Sequence, residues 1–284
     1  MSLGVLTNVA AINAENSLNQ TQNSLNTVLQ QLSSGSRINS GADDAAGLSI
    51  VDGLTANQAA LTQSAQNAQN GVGLLQTADG ALSQVTSLLD RAVTLATEAS
   101  NGGLTTAQST AADTEFQSII SQIGSIGSTT NFNSTGVFNQ AAGTNFVLTD
   151  GTAAGLTTIT SAATALSATS IGGVTFGAAD TLTGATAAAG QASAQTTLID
   201  VTNAIAGISA ERGAIGANIN QLNAASNVAS TESVNLSAAQ SSIQATNFGQ
   251  ATSDLAKFQV LSQTGISALA QANSTQQEIL KLLQ

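Results

Sequence analysis

The sequence predicts a mainly α-helical fold, in which long helices from both chain ends form an antiparallel coiled coil or bundle. A small distal segment contains a β-hairpin. Apolar residues recur at helical spacing through both ends of the chain. Proline, the strongest helix breaker, is absent. Residues 128–196 are instead an aperiodic mixture of Ala, Thr, Gly and Ser. The ordered pattern therefore lies at the two ends, which are expected to meet each other or another copy of the chain.

The composition argues against an enzyme. The 284 residues include no His, Cys, Tyr or Trp, and only 7% are charged, against about 25% in typical globular proteins. The usual general base, thiol nucleophile and His or Cys metal ligands are missing. We therefore expect no catalytic residues, no metal and no cofactor. A surface of Ser, Thr, Asn and Gln suits neutral packing between subunits, although a merely low-complexity chain is an alternative.

The charge balance and hydropathy exclude two classes of partner. Five basic residues against sixteen acidic ones give a net charge of −11, which argues against binding a nucleic acid backbone. No stretch approaches 18 uninterrupted apolar residues, so no membrane-spanning helix is expected. The N-terminus lacks the features of a cleaved secretory signal, so export would require a dedicated route.

Heptad spacing defines the helices of the N-terminal half. A helix is predicted over residues 57–101, with Asn101-Gly102-Gly103 as its C-terminal stop. Asp79 lies on the second row of this seam. A shorter amphipathic helix follows. The apolar positions are Leu18, Leu25, Val28 and Leu32 in the first segment, Leu61, Ala68, Leu75, Leu82, Leu89 and Ala96 in the long helix, and Phe116, Ile119, Ile120 and Ile123 in the short one.

The C-terminal half carries two further heptad seams. Their break is predicted near Asn247-Phe248-Gly249, and Arg212 is a polar interruption of the first seam. Off-seam residues Leu261 and Ile266, with Leu280 and Leu282, make the last helix apolar on more than one face, which favours packing against a partner. The first seam contains Val201, Ile205, Ile208, Ile215, Ile219, Leu222, Ala229, Leu236 and Ile243, and the second contains Leu255, Phe258, Leu269, Ala272, Ile279 and Leu283.

The middle of the chain contains candidate strands. Residues 145–148 read as a strand that ends in an Asp150-Gly151 turn, with residues 156–160 as its partner. Residues 171–176 read as another single short strand.

The terminal helices are predicted to form only when the chain assembles with other copies. Residues 1–33 contain too few large apolar side chains to offset the conformational entropy of ordering them, and isolated helices are marginal in water. We expect the terminal segments to be disordered in the monomer and ordered on assembly.

Three motifs resemble those of bacterial flagellins. Ser34-Gly35-Ser36-Arg37-Ile38-Asn39-Ser40, continuing as GADDAAGLSI to Ile50, is similar to the signature after the first flagellin helix. The segment ERGAIGA with the following NQLN, residues 211–223, resembles a second flagellin motif. The last 24 residues, LSQTGISALAQANSTQQEILKLLQ, are similar to the flagellin C-terminus. The chain resembles a short form with a reduced outer variable region.

The resemblance implies a structural subunit that self-assembles into the extracellular helical filament of the bacterial flagellum for swimming. It assigns residues 1–44 plus 245–284 to a terminal coiled-coil core domain and residues 45–135 plus 197–244 to a helical outer-tube domain. Residues 136–196 become a short β-containing variable tip. Residues expected to mediate assembly in the core helices are Leu18, Leu25, Val28, Leu32, Leu255, Phe258, Leu269, Ile279 and Leu283.

The resemblance also implies partners. These are other copies of the chain, an export chaperone at the C-terminal helices, and the hook-associated and cap proteins. It implies export by the flagellar secretion apparatus without a cleaved signal peptide. The flagellin-sensing Toll-like receptor of animals would contact Arg91, Leu95 and Glu115. The alternative is that these are an exposed Arg and Glu beside a heptad Leu.

The charge cluster Arg37, Asp43 and Asp44 also has two interpretations. The resemblance implies a polar contact between subunits, at the junction of the inner and outer filament layers. The alternative is a solvated loop in which Asp43 or Asp44 caps the next helix.

Three other functions are alternatives to a filament subunit. A flagellin-related hook–filament junction protein shares the helical ends. An enzyme within the outer segment would have only Asp150 and Asp180 as acidic residues between 136 and 196. A generic coiled-coil adhesin fits the periodicity but leaves residues 34–50 unexplained.

Overall fold

A computed structural model describes residues 7–101, 103–138, 144–152, 157–161 and 165–282. The fold is mainly α-helical, which confirms the predicted class. Its helices are α1 (Val9–Ser34), α2 (Ala45–Ser100), α3 (Thr106–Thr129), α4 (Ala187–Gln244) and α5 (Phe248–Leu282). Its short strands are β1 (Asn131–Phe132), β2 (Thr135–Gly136), β3 (Thr144–Leu148), β4 (Thr157–Ser161), β5 (Ser170–Ile171) and β6 (Val174–Thr175). These strands form three antiparallel pairs, β1-β2, β3-β4 and β5-β6.

The chain divides into two units. The terminal unit comprises Met1–Ala56 and Asn235–Gln284, and the middle unit comprises Asn57–Val234.

The terminal unit is built on the pairing of α1 with α5. In both helices, the predicted heptad residues whose side chains the structure describes are half-buried, except Val28, which is buried. At Gly265 the helices approach so closely that an added Cβ would lie 3.2 Å from Cδ1 of Leu18. The side-chain amide of Asn8, which also caps α1 by accepting from the Ala11 N–H, donates to the Ala272 carbonyl. Heptad patterns at opposite ends of the sequence therefore form one helix pair, as predicted.

The middle unit contains a continuous apolar core. Its buried residues lie on the heptad rows of α2 and α4 and on the predicted face of α3, where the side chain of Phe116 is fully buried. The heptad members of this core include Ala68, Leu75, Leu82, Leu89, Val201, Ile208, Ile215 and Leu222. The predicted seams are therefore confirmed as the buried faces of these helices.

The start of α2 differs from the predicted helix at 57–101. The helix begins at Ala45 and ends at Ser100. The Asp44 carboxylate accepts from the Gly47 backbone N–H at 2.8 Å, which satisfies one of the amide groups left without a partner in the first helical turn. Heptad periodicity alone missed this start, because the first turns of α2 precede the regular apolar repeat.

The strand prediction is partly confirmed and partly wrong. The predicted pair near residues 145–148 and 156–160 is the β3-β4 hairpin, with Phe146 opposite Ile159. The single strand predicted over 171–176 is instead the β5-β6 hairpin. Its two turn residues, Gly172 and Gly173, have φ of 57° and 79°. Two adjacent residues with positive φ reverse the chain in a two-residue turn, so the segment cannot remain one strand.

The β1-β2 hairpin was not predicted. Its turn residues Asn133 and Ser134 have φ of 49° and 63°, the same left-handed geometry without glycine. Asn tolerates this region better than most residues. Asn133 was therefore the one feature of the sequence that could have indicated this turn.

The β5-β6 turn contacts the backbone of α4. A Cβ added to Gly207 would clash with the carbonyl oxygen of Gly172, and one added to Gly172 would clash with the carbonyl oxygen of Ala204. Only glycine at Gly172 and Gly207 permits this approach. The hairpin is therefore positioned on α4 by two residues that lack side chains.

Candidate assembly surfaces

The helices of the terminal unit present a second apolar face that this chain does not cover. Four large apolar side chains of α5 are 43–63% exposed, and three of α1 are 45–62% exposed. In contrast, Val28 is the one residue of α1 that is buried. Among the α5 side chains that the structure describes, only Ala251 is buried. The exposed residues are Phe248, Val260, Leu261 and Ile266 of α5 and Val9, Ile12 and Leu29 of α1.

The residues proposed for assembly lie mainly on the inner face of this pair. Leu18, Leu25 and Leu32 of α1 and Leu255, Phe258 and Leu269 of α5 are half-buried, and Val28 is buried. The side chain of Ile279 and the whole of Leu283 lie outside the described residues. The off-seam residues Leu261 and Ile266 are exposed as predicted, whereas the side chains of Leu280 and Leu282 lie outside the described residues.

Asp43 organises the loop between α1 and α2. Its carboxylate accepts from the backbone N–H groups of Asn39 and Ser40 and from the Ser40 hydroxyl. These hydrogen bonds, that from Asn39 first, lower the pKa of the Asp43 carboxyl. Asp43 therefore stabilises the loop, whereas Asp44 caps α2, in agreement with the capping alternative for one of the two aspartates. A contact between subunits at Arg37, Asp43 and Asp44 stays a prediction.

Arg37 joins this loop to the one between α4 and α5. Its guanidinium donates to the Ile243 carbonyl at 2.9 Å, and its backbone N–H donates to the Gln244 carbonyl at 2.7 Å. Ser36 and Ala245 form an isolated antiparallel bridge. The Arg37–Asp44 distance is 3.9 Å, so Arg37 holds backbone carbonyls more closely than it holds its acidic neighbour.

Arg91 and Glu115 bind each other. The guanidinium of Arg91 on α2 donates two hydrogen bonds to the Glu115 carboxylate on α3, at 2.7 and 3.1 Å. This pairing lowers the pKa of Glu115 and raises that of Arg91. Leu95, the third residue aligned with the receptor patch, is only 3% exposed. The two charged residues therefore offer exposed atoms, and Leu95 packs in the core.

A pair of carboxyls lies in the middle unit. The pKa of Asp200 on α4 is raised. Burial is the largest cause, followed by a hydrogen bond with Asp180 and the negative charge of Asp180. Asp180 accepts from the Gly177 N–H at 2.7 Å, and nearby Asp113 on α3 accepts from the Leu182 N–H at 2.8 Å. These acids therefore fix the loop before α4. Among the described residues, no group of three acidic side chains has the geometry to hold a metal ion.

An ion pair that the heptad pattern did not predict lies within the α2-α4 seam. Arg212 donates to Asp79 at 2.8 and 3.4 Å, and this bond raises the pKa of Arg212. Both residues were identified on their own seams. The signal that could have paired them is that an acidic and a basic residue each interrupt an apolar row.

No helix among the described residues is long and apolar enough to span a bilayer.

Comparison with known proteins identifies the family. The model of the bacterial flagellin N-terminal helical region matches residues 5–143, and that of the C-terminal helical region matches residues 198–283. Flagellin of Listeria monocytogenes is 31% identical over 294 aligned residues, covering 98% of this chain and 99% of that protein. Flagellin of Halalkalibacterium halodurans is 31% identical and covers 97% of this chain and 98% of that protein.

A crystal structure of Bacillus cereus flagellin is also similar, with 27% identity and a TM-score of 0.47, over 57% of this chain and 88% of that one. None of these matches favours a hook–filament junction protein. With helical regions matched at both ends and similarity over nearly its whole length, this chain belongs to the bacterial flagellin family, whose members are the structural subunits of the flagellar filament.

Proposed function

We propose that this chain polymerises head to tail into an extracellular helical filament through the uncovered apolar face of its terminal helices. The observation that carries the proposal is the set of large apolar side chains exposed on α1 and α5. A monomer gains nothing from leaving such residues in water, whereas burial in a polymer contributes about 25 cal/mol per Å².

The charge pattern supports packing of this face. Lys257 and Glu278 are among the few charged residues of α5, and α1 contains only Glu15. Few charged side chains would therefore lose their hydration when copies of the chain pack together. Contacts that join unlike patches on successive copies do not close and generate a helical filament. Residues 1–44 plus 245–284 would form the core of this filament, residues 45–135 plus 197–244 its outer tube, and residues 136–196 its solvent-facing tip.

The lack of catalysis, the export route and the partner proteins are further parts of this proposal. The chain acts as structural material without catalysis, and it leaves the cell through the flagellar secretion apparatus. An export chaperone covers the apolar C-terminal helices before assembly, and hook-associated and cap proteins contact the two ends of the filament. In recognition by the flagellin-sensing receptor, Arg91 and Glu115 would supply the contacts, and the buried Leu95 would support α2, the helix that carries Arg91.

Deletion of residues 264–284 tests the proposed function. The truncated chain keeps the whole middle unit but loses the part of α5 from residue 264 onward, which includes Ile266 and Leu269. We expect complete loss of polymer in sedimentation and electron microscopy, with the cooperative thermal transition of the middle helices retained in circular dichroism. Full-length protein in the same buffer is the control. Long filaments from the truncated chain would refute the proposal.

A further inference from the structure

We propose that the Asp79–Arg212 ion pair is a positioning device that fixes the heptad register of α2 against α4. The inference deepens the proposed function and rests on it, because a filament is assembled from many copies of one subunit shape. Both residues lie within apolar heptad rows, and their side chains are joined by two hydrogen bonds.

Contacts along the helices define the observed register. Besides the Asp79–Arg212 pair, the side-chain amide of Gln191 on α4 donates to the Ser100 carbonyl on α2 at 3.0 Å. The intervals from Asp79 to Ser100 and from Arg212 back to Gln191 are both three heptads. On the other side of the ion pair, an added Cβ at Gly71 would lie 3.0 Å from Cδ1 of Leu222.

The apolar rows alone do not select this register. The buried residues of α2 recur every seven positions at Leu75, Leu82 and Leu89, and those of α4 recur at the same interval. A slip of one heptad in either direction would therefore bring apolar residues opposite apolar residues again. Such a slip displaces one helix along the other by about 10 Å.

The ion pair distinguishes these alternatives. After a one-heptad slip, Asp79 would lie level with Ile205 or Ile219, and Arg212 would lie level with Thr86 or Val72. Each charge would lose its partner, and three of these four new neighbours are partly buried apolar residues of the core. A single polar position in an apolar seam specifies the register of coiled coils by this means. Only in the observed register do the two charges meet.

The test measures the register directly in the full chain. The chain contains no cysteine, so spin labels can be attached uniquely at Gln84→Cys on α2 and Ser209→Cys on α4, both exposed positions. In this labelled parent we expect one distance in pulsed electron paramagnetic resonance. With Asp79→Leu and Arg212→Leu added, we expect a second population whose axial offset differs by about 10 Å.

Two matched variants separate register from loss of charge. Exchange of the pair, Asp79→Arg with Arg212→Asp, should restore the single distance. Replacement of the Arg91–Glu115 pair by Arg91→Leu and Glu115→Leu removes a comparable ion pair between α2 and α3, and should leave the single distance unchanged. If the double-leucine variant does not fold, Asp79→Asn with Arg212→Gln takes its place, with the same expected second population.

A single unshifted distance in the variants without the pair overturns the inference, as does a second population in the exchanged or the control variant. Filament formation is then compared by electron microscopy. We expect regular filaments from the parent and the exchanged pair, and short or irregular ones from the double-leucine variant. If the labelled parent has one register but does not polymerise, the proposed function fails while the register assignment stands.

Discussion

The terminal unit and the middle unit share the same heptad repeat of apolar residues, but they differ in how completely those side chains are buried. Leu75, Leu82 and Leu89 of the middle unit are completely buried. Their counterparts on α1 and α5, such as Leu18 and Leu269, are only half-buried. In the middle unit, α3 and the hairpins add apolar residues to the α2-α4 seam. A lone pair of helices leaves one side of each helix in water, so the terminal unit is the part whose stability should depend on other copies.

Hydrogen exchange of the monomer provides the largest contrast between the units. We expect amides in residues 1–33 and 255–284 to exchange at least about a thousandfold faster than those around Leu82 and Ile208, because local opening is far less costly where little apolar surface is buried. Mass spectrometry of the monomer and the filament measures both states. Strong protection of the terminal helices in the monomer would show that the terminal unit is stable without other copies, which contradicts the proposed difference between the units.

Truncation of one apolar side chain in each unit gives the next largest effect. Leu82→Ala removes a fully buried side chain and should lower the free energy of unfolding by about 2–5 kcal/mol. Val260→Ala removes a side chain that is 63% exposed and should change monomer stability by less than about 0.5 kcal/mol. Val260→Ala should nevertheless raise the critical concentration for polymerisation. Equal effects of the two substitutions on monomer unfolding would contradict this assignment.

Substitution of two glycines of α4 tests the contact between this helix and the β5-β6 turn of the middle unit. Gly207→Ala forces a Cβ against the Gly172 carbonyl, and the resulting displacement of the hairpin should destabilise by about 1–3 kcal/mol. Gly213→Ala is the matched control, because an added Cβ there meets nothing within 4 Å. It should stabilise the helix by up to about 1 kcal/mol. Chemical denaturation measures both, and effects of the same sign would exclude this contact as the cause.

The smallest expected effect is the pH dependence of the Asp200–Asp180 pair. Because the pKa of Asp200 is raised in the folded chain, the folded state binds more protons than the unfolded state above the ordinary pKa of 3.8. Its stability contribution is therefore present below that value and is lost as pH rises through the raised pKa. Asp200→Asn should remove this decline and stabilise the chain at neutral pH by less than about 1 kcal/mol.

Asp150→Asn is the contrasting variant for this measurement. Hydrogen bonds from Thr152 lower the pKa of Asp150, so its contribution has the opposite sign and is lost as pH falls. Unfolding curves between pH 3 and 8 measure both variants. An unchanged pH profile in Asp200→Asn would show that the carboxyl pair makes no contribution.

Most of the helical part was predictable because it depends on periodicity. Leu61 through Ala96 repeat at intervals of seven, and most of these residues line the core on the predicted face. Local capping was harder to place. Asp44 was one of two candidate caps, and only its contact with Gly47 established where α2 begins.

The hairpins were less predictable for a different reason. Residues 171–176 have the composition of a strand, but the positive φ of Gly172 and Gly173 reverses the chain between Ile171 and Val174. A glycine pair permits such a turn without requiring it. Its position is supported by the close approach of Gly207 on α4, which is remote in the sequence.

The sequence by itself determined that this chain is helical, charge-poor, without His or Cys, and apolar on more than one face of its last helix, because spacing and composition are local properties. The tertiary structure decided which of these patterns meet. It placed Asp79 opposite Arg212, paired Arg91 with Glu115, buried Leu95 and left Val260 exposed. Each of these outcomes depends on the relative register of helices distant in sequence, and a heptad repeat is compatible with several registers.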